Sequence, residues 1–316
     1  MICKLEATHP LRLSGRETMF LRSWLLVPES LRTIAFFGLT LVGCGSDSRT
    51  TTPAADGRQT PTSIATETLG STGVSTHPAI VSWGRVNELP SEIAVFESVF
   101  WEPDDTMSLR RRILSDPSVK GANVLEIGTG SGLISLCCLS AGAARVIGTD
   151  LNPAAVRNSL HNAKEFGYAE RFESRLVPRR SPGAWTVIEP KETFDLIISN
   201  PPWEDGKPVR VDEFALYDPD FELLKSLVTG ARERLRPNGK LWLAYGCVTA
   251  IRKIQEVAAA EGLNCTLLDE RTIESLPELF LPGMLIEITV LPEVSFPTGG
   301  VKSICQPGTM TGYSSR

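Results

Sequence analysis

Short apolar runs alternate with stretches of helical spacing between residues 122 and 291. The runs are rich in Val, Ile and Leu and end near glycine, proline or an acidic residue, which is typical of buried parallel strands. The stretches between them repeat apolar residues every three or four positions, as amphipathic helices do. The pattern predicts strands at 123–127, 145–149, 171–177, 194–199, 240–245, 265–269 and 284–291, and helices at 131–141, 153–166, 218–235 and 248–261.

Strands that alternate with helices predict a parallel sheet covered on both faces. The last two predicted strands have no helix of any length between them, so they are expected to form an antiparallel hairpin at one edge. The sequence therefore predicts an α/β, Rossmann-like fold: a seven-stranded, mostly parallel sheet with an antiparallel edge hairpin and helices on both faces.

The first 78 residues follow a different pattern. Residues 33–43 form an apolar run (TIAFFGLTLVG) before Cys44, too short to span a bilayer but long enough for a signal-peptide core. The run and Cys44 are similar to a lipoprotein cleavage box. The alternative is that residues 1–78 are an upstream extension without a cellular role. Met19 is then a possible later start of translation.

This pattern predicts four segments along the chain. Residues 1–44 form a possible signal or lipoprotein segment, and residues 45–78, rich in Ser, Thr, Gly and Pro, form a disordered linker because they cannot bury enough apolar surface. Residues 79–292 form the main domain, and residues 293–316 form a C-terminal tail.

The composition of the chain excludes a few classes of function and site. The chain has 316 residues and a net charge of −5, which argues against a protein that coats nucleic acid by charge alone. Its 3 histidines are far apart and its 7 cysteines contain no C-x-x-C pair. We therefore expect neither a zinc site nor a disulfide framework, and no metal.

A glycine motif follows the first strand of the main domain: Glu126-x-Gly128-x-Gly130-x-Gly132. Glycines allow the backbone to turn tightly and approach a ligand closely. The third glycine comes one residue earlier than in the dinucleotide fingerprint G-x-G-x-x-G, which disfavours an NAD-dependent dehydrogenase. Asp150 ends the second strand, 18 residues after Gly132.

This motif resembles that of the class I S-adenosylmethionine-dependent methyltransferases. The resemblance implies that S-adenosylmethionine is the cofactor and that the loop of Gly128, Gly130 and Gly132 wraps its methionyl and ribose parts. It also implies that Glu126 lies near the cofactor's amino group and that Asp150 accepts hydrogen bonds from the ribose hydroxyls. The region 173–180 offers no acid where the family holds the adenine, so that contact stays unassigned.

The sequence Asn200-Pro201-Pro202-Trp203 follows the fourth predicted strand, where ligands bind in open parallel sheets. The Asn200 side-chain oxygen and the Pro201 carbonyl could orient a planar NH₂ group, and prolines keep such a loop stiff. Trp203 could stack on a planar acceptor. The alternative is an ordinary Asn-Pro-Pro turn with Trp203 in the core.

This second motif resembles the N/D-P-P-F/Y/W element of N-methyltransferases that act on DNA adenine, rRNA guanine, or glutamine of ribosomal proteins and release factors. Glu102-Pro103-Asp104-Asp105-Thr106 is similar to an element that precedes the domain in the glutamine enzymes. Residues 1–78 contain no counterpart of the N-terminal substrate-binding bundle of the release-factor enzymes, which weakens the transfer of their substrate.

Together the motifs predict a cytoplasmic methyltransferase that modifies a planar amide or amino nitrogen of a protein glutamine or a nucleic-acid base. The alternative is an exported lipoprotein that keeps the fold as a non-catalytic binding module. A membrane is expected as a partner only if Cys44 is lipidated.

Overall fold

The computed structural model describes residues 79–291. The predicted signal segment (1–44) with Cys44, the predicted linker (45–78), and the predicted tail (293–316) lie outside the described residues. None of the helices within residues 79–291 combines the length and apolar character that crossing a bilayer requires.

The strands of the described region are β1 (Ile80–Gly84), β2 (Ile93–Phe96), β3 (Asn123–Ile127), β4 (Arg145–Asp150), β5 (Phe172–Leu176), β6 (Phe194–Ser199), β7 (Leu235–Cys247), β8 (Leu263–Leu267) and β9 (Leu279–Val290). The helices are α1 (Met107–Ser115), α2 (Leu133–Ser140), α3 (Pro153–Glu165), α4 (Glu222–Thr229), α5 (Ala231–Arg234) and α6 (Val248–Ala260).

The main sheet has seven strands in the order β5-β4-β3-β6-β7-β9-β8. Strands β3 to β7 pair in parallel, whereas β9 pairs antiparallel with both β7 and β8. The predicted fold class, including the antiparallel edge, is therefore confirmed. Each of the predicted strands is present, with bounds within five residues of those expected.

Alternation along the central strands explains why both faces of the sheet are covered. Leu125 and Ile197 point to one face and belong to a core that includes α4 and α6 residues. Their neighbours Val124 and Leu196 point to the other face, against α1 and α2. Successive strand residues face opposite sides, so continuous apolar strands require two apolar layers.

Two elements differ from the sequence prediction. The helix predicted over 218–235 is wrong as one continuous helix, because Gly230 ends α4 and α5 follows separately. A Cβ at Gly230 would lie 2.0 Å from Nε1 of Trp185, so the glycine allows this indole to pack against the helix end. The antiparallel hairpin of β1 and β2, outside the main sheet, was not predicted.

The order of strands determines where a ligand can bind. From β3 the chain runs outward through β4 and β5 on one side, then returns to β6 and β7 on the other side of β3. The carboxyl ends of β3, β4 and β6 form a crevice at such a switch point. Glu126, Asp150 and Asn200 lie at or just after those three ends.

Candidate active site

A cavity of about 490 Å³ lies at the carboxyl ends of β3, β4 and β6. It brings together most of the residues that the two motifs singled out. Those that line it are Glu126, Gly128, Gly130, Asp150, Asn200, Pro201 and Pro202. Gly132 and Trp203 are not among the lining residues of the described region.

The glycine loop between β3 and α2 is held by the backbone of β4. The N–H groups of Gly128 and Thr129 both donate to the carbonyl of Thr149, each at 2.9 Å. Gly128 and Gly130 have φ values of +79° and +53°, which glycine adopts without strain. A Cβ at either would meet no protein atom within 4 Å and would therefore occupy the cavity.

Gly132 has a different environment from the other two glycines. Its φ is +85°, and a Cβ there would lie 3.1 Å from the Cα of Ser159 in α3. Gly132 therefore lets the start of α2 approach α3, while Gly128 and Gly130 leave room in the cavity.

The Glu126 side chain is buried at the end of β3 and is only 4% exposed. Its Oε2 accepts hydrogen bonds from Thr129 Oγ1 at 2.8 Å, from Ser135 N at 3.1 Å and from Ser135 Oγ. Oε1 receives no hydrogen bond from residues 79–291. Burial raises the pKa of Glu126 to about 7, with the Asp150 charge acting in the same direction against the lowering effect of the hydrogen bonds.

Asp150 ends β4 and joins the glycine loop to the start of α3. Its Oδ2 accepts a hydrogen bond from Gly130 N and its Oδ1 accepts one from Asn152 N, both at 2.8 Å. Burial raises the pKa of Asp150 to about 6, although these backbone donors lower it. Asp150 is half-buried and is one of the residues that line the cavity.

Asn200 immediately follows β6 and lines the cavity, with Pro201 and Pro202 buried beside it. Asn200 Oδ1 accepts a hydrogen bond from Trp203 Nε1 at 3.2 Å, and the same N–H also donates to the Ala244 carbonyl at 3.1 Å. The indole is partly buried and packs against the core that covers one face of the sheet. The arrangement leaves one lone pair of the Asn200 oxygen for a ligand.

Residues 102–106, which precede α1, form another wall of the cavity. Glu102, Pro103 and Thr106 line the cavity. Asp105 is buried beside them, and burial, together with the charges of Glu102 and Asp104, raises the pKa of its carboxyl to about 8.

Sequence reasoning missed the segment between Trp203 and α4, which also lines the cavity. Phe214, Tyr217 and Asp218 contribute from this segment. Asp218 accepts hydrogen bonds from Leu223 N and Leu224 N, both at 2.9 Å, and so holds the start of α4. The only sequence signal was Asp218-Pro219 as a helix start, which indicates a cap but not a ligand wall.

The charged residues that line the cavity all carry carboxyl groups: Glu102, Glu126, Asp150, Asp212, Asp218 and Glu222. No Lys, Arg or His is among its lining residues in the described part of the chain. The same region contains no group of three or more His, Cys, Asp or Glu placed to hold a metal ion. The cavity therefore favours a ligand with positive charge over one with phosphate groups.

Comparison with known proteins identifies relatives of this domain. Residues 105–201 match the family model of ribosomal protein L11 methyltransferase (PrmA). The chain is 34% identical over 171 residues to release factor glutamine methyltransferase of Cereibacter sphaeroides, covering 50% of this chain and 58% of the relative. It is 31% identical over 170 residues to a putative protein N5-glutamine methyltransferase of Methanocaldococcus jannaschii, covering 44% of this chain and 80% of that protein.

A ribosomal protein L11 methylase structure from Lactobacillus delbrueckii subsp. bulgaricus has a TM-score of 0.45 and 18% identity, covering 61% of this chain and 81% of that one. The parallel sheet, the glycine loop and the acid that ends β4 define a class of protein, the S-adenosylmethionine-dependent methyltransferases. Given its similarity over most of the Methanocaldococcus protein, this chain belongs to the methyltransferase family of that relative. It spans only 58% of the length of the Cereibacter enzyme.

Proposed function

We propose that this protein transfers a methyl group from S-adenosylmethionine to the side-chain amide nitrogen of a protein glutamine. The observation that carries the proposal is the position of Asn200. Asn200 lines the same cavity as Gly128, Gly130 and Asp150. An amide-orienting group and a cofactor cradle therefore share one space.

The residues of the cavity fit the cofactor. Gly128 and Gly130 leave space that a side chain would fill. Glu126 Oε1 and the carboxylate of Asp150 are acceptors suited to an ammonium group and to ribose hydroxyls. When bound, S-adenosylmethionine supplies a methyl group activated by a positively charged sulfur, and the acidic walls of the cavity stabilise positive charge.

Asn200 and Pro201 would act on the acceptor. An amide nitrogen is a poor nucleophile because its lone pair is delocalised into the carbonyl. The Asn200 side-chain oxygen and the Pro201 backbone carbonyl would accept hydrogen bonds from the two N–H groups and fix the direction of that nitrogen. As the nitrogen–methyl bond forms and the methyl–sulfur bond breaks, the nitrogen becomes positive and these hydrogen bonds strengthen, so they favour the transition state over the bound substrate. The methylated nitrogen then releases one of its two protons to solvent and becomes a neutral amide.

The charge of the cavity supports a protein amide over a nucleic-acid base. A nucleic acid would bring phosphates close to walls that carry carboxyl groups and, among residues 79–291, no Lys, Arg or His. A glutamine side chain is neutral and fits the same space without that repulsion. The names of the two relatives, which specify glutamine, agree with this choice. We place the reaction in the cytoplasm, where the cofactor and its acceptors are made.

The acceptor can be tested by incubating the protein with tritiated S-adenosylmethionine and a cell lysate. We expect label in protein that resists ribonuclease, is lost on protease treatment, and is released as methylamine by acid hydrolysis. Excess S-adenosylhomocysteine is the control and should suppress labelling. Label that ribonuclease or deoxyribonuclease removes would contradict a protein acceptor.

A further inference from the structure

Two buried asparagines of α3 take the place of a neighbouring strand for β2. Asn158 Oδ1 accepts from Phe96 N at 2.9 Å, and its Nδ2 donates to the Ala94 carbonyl at 2.8 Å. Asn162 Oδ1 accepts from Ala94 N at 3.0 Å, and its Nδ2 donates to the same carbonyl at 2.9 Å. These side chains satisfy backbone groups on the edge of β2 that faces α3.

Asn162 also makes a side-chain hydrogen bond outside β2, which Asn158 does not within residues 79–291. Its Nδ2 also donates to the carbonyl of Ser131 at 2.9 Å. Ser131 lies between Gly130 and Gly132 and lines the cavity. Asn162, which is 1% exposed, therefore joins the β1–β2 hairpin to the glycine loop through its side-chain amide.

The hairpin matters because β2 leads directly into a wall of the cavity. Ser98, Phe100 and Trp101 follow β2 within five residues and line the cavity. Asn152, at the start of α3, donates from Nδ2 to the Ser98 carbonyl at 2.7 Å. Side chains at the start of α3 and within it therefore hydrogen-bond to both the 98–101 wall and the glycine loop.

We propose that Asn162 is a positioning residue for cofactor binding, because it sets the distance between the 98–101 wall and the glycine loop. The inference rests on the proposed function, since it takes the cavity as the cofactor site. Without the Asn162 amide, the buried Ser131 carbonyl loses its side-chain donor and the loop is free to move relative to the wall. Small displacements of this kind weaken binding in a preorganised site.

The test compares three substitutions in the full chain. Asn162→Ala removes both connections, and Asn158→Ala removes only the contacts with β2. Asn123→Ala is the control: Asn123 Nδ2 donates to Asp195 Oδ2 at 3.3 Å, at the amino end of β3 and away from the cavity. If Asn162→Ala does not fold, Asn162→Ser, which keeps a hydroxyl donor on a shorter side chain, is measured in its place.

Two readouts are measured well below the unfolding temperature of every variant: hydrogen exchange of the ligand-free protein and S-adenosylhomocysteine binding by calorimetry. For Asn162→Ala we expect faster exchange in both 94–101 and 128–132, and roughly 10-fold weaker binding. Asn158→Ala should accelerate exchange in 94–101 alone. Asn123→Ala should bind like the wild type.

Unchanged exchange in 128–132, or binding by Asn162→Ala equal to that of the Asn123→Ala control, would overturn the inference. Failure of the proposed function is a distinct result, because there the wild type itself would not bind S-adenosylhomocysteine. That result would remove the cofactor role from Asn162, whatever its effect on exchange.

Discussion

The indole of Trp203 lies behind Asn200 and outside the set of residues that line the cavity. Glycines make room for it: a Cβ at Gly246 would lie 2.3 Å from the ring, and one at Gly283 would lie 3.2 Å from it. The Asn-Pro-Pro-Trp pattern is compatible both with stacking on an acceptor and with a core position. These four residues alone do not determine which position Trp203 takes, because the space for its ring depends on glycines more than 40 positions away.

This position leads to a prediction for Trp203→Phe. Phenylalanine keeps an aromatic ring but lacks the N–H that donates to Asn200 Oδ1. If this hydrogen bond orients the amide, methyl transfer should fall by roughly 10-fold while S-adenosylhomocysteine binding changes little. Methyl transfer at the wild-type rate would contradict this role of the Trp203 N–H.

At the scale of elements, the central strands could be predicted because each is buried on both faces and therefore continuously apolar. The β1–β2 hairpin could not. β1 is mostly exposed, and β2 is held by Asn158 and Asn162, more than 60 residues further along the chain. Contacts of that separation leave no local pattern that sequence periodicity can detect.

The junction of the glycine loop with α2 and α3 gives a prediction at the scale of elements. Gly130→Ala should abolish most S-adenosylhomocysteine binding with only the modest stability loss of a positive φ, because its Cβ enters the open cavity. Gly132→Ala should lower the unfolding temperature further, because its Cβ meets Ser159 at 3.1 Å. Calorimetric binding and thermal unfolding of both variants test this, and the reverse ranking of stability would contradict it.

For the whole molecule, parallel strand order explains how residues distant in sequence meet. Glu126, Asp150 and Asn200 were predicted at three strand ends, and the order β4-β3-β6 places those ends side by side. The walls from 98–106 and 211–219 were harder to foresee as a group, because their positions depend on long-range packing of loops. Local sequence patterns therefore predict the residues at the carboxyl ends of the strands. They do not predict the loops that enclose the cavity.

The most direct measurement combines S-adenosylhomocysteine titration by calorimetry with tritiated methyl transfer for the wild type and Asn200→Ala. We expect both proteins to bind the ligand with affinities within about twofold, because Asn200 is assigned to the acceptor. Transfer should fall by about 100-fold or more in Asn200→Ala, as expected when a group that acts in the transition state is removed. A wild type that binds no ligand, or an Asn200→Ala variant that transfers methyl groups at the wild-type rate, would contradict the proposed function.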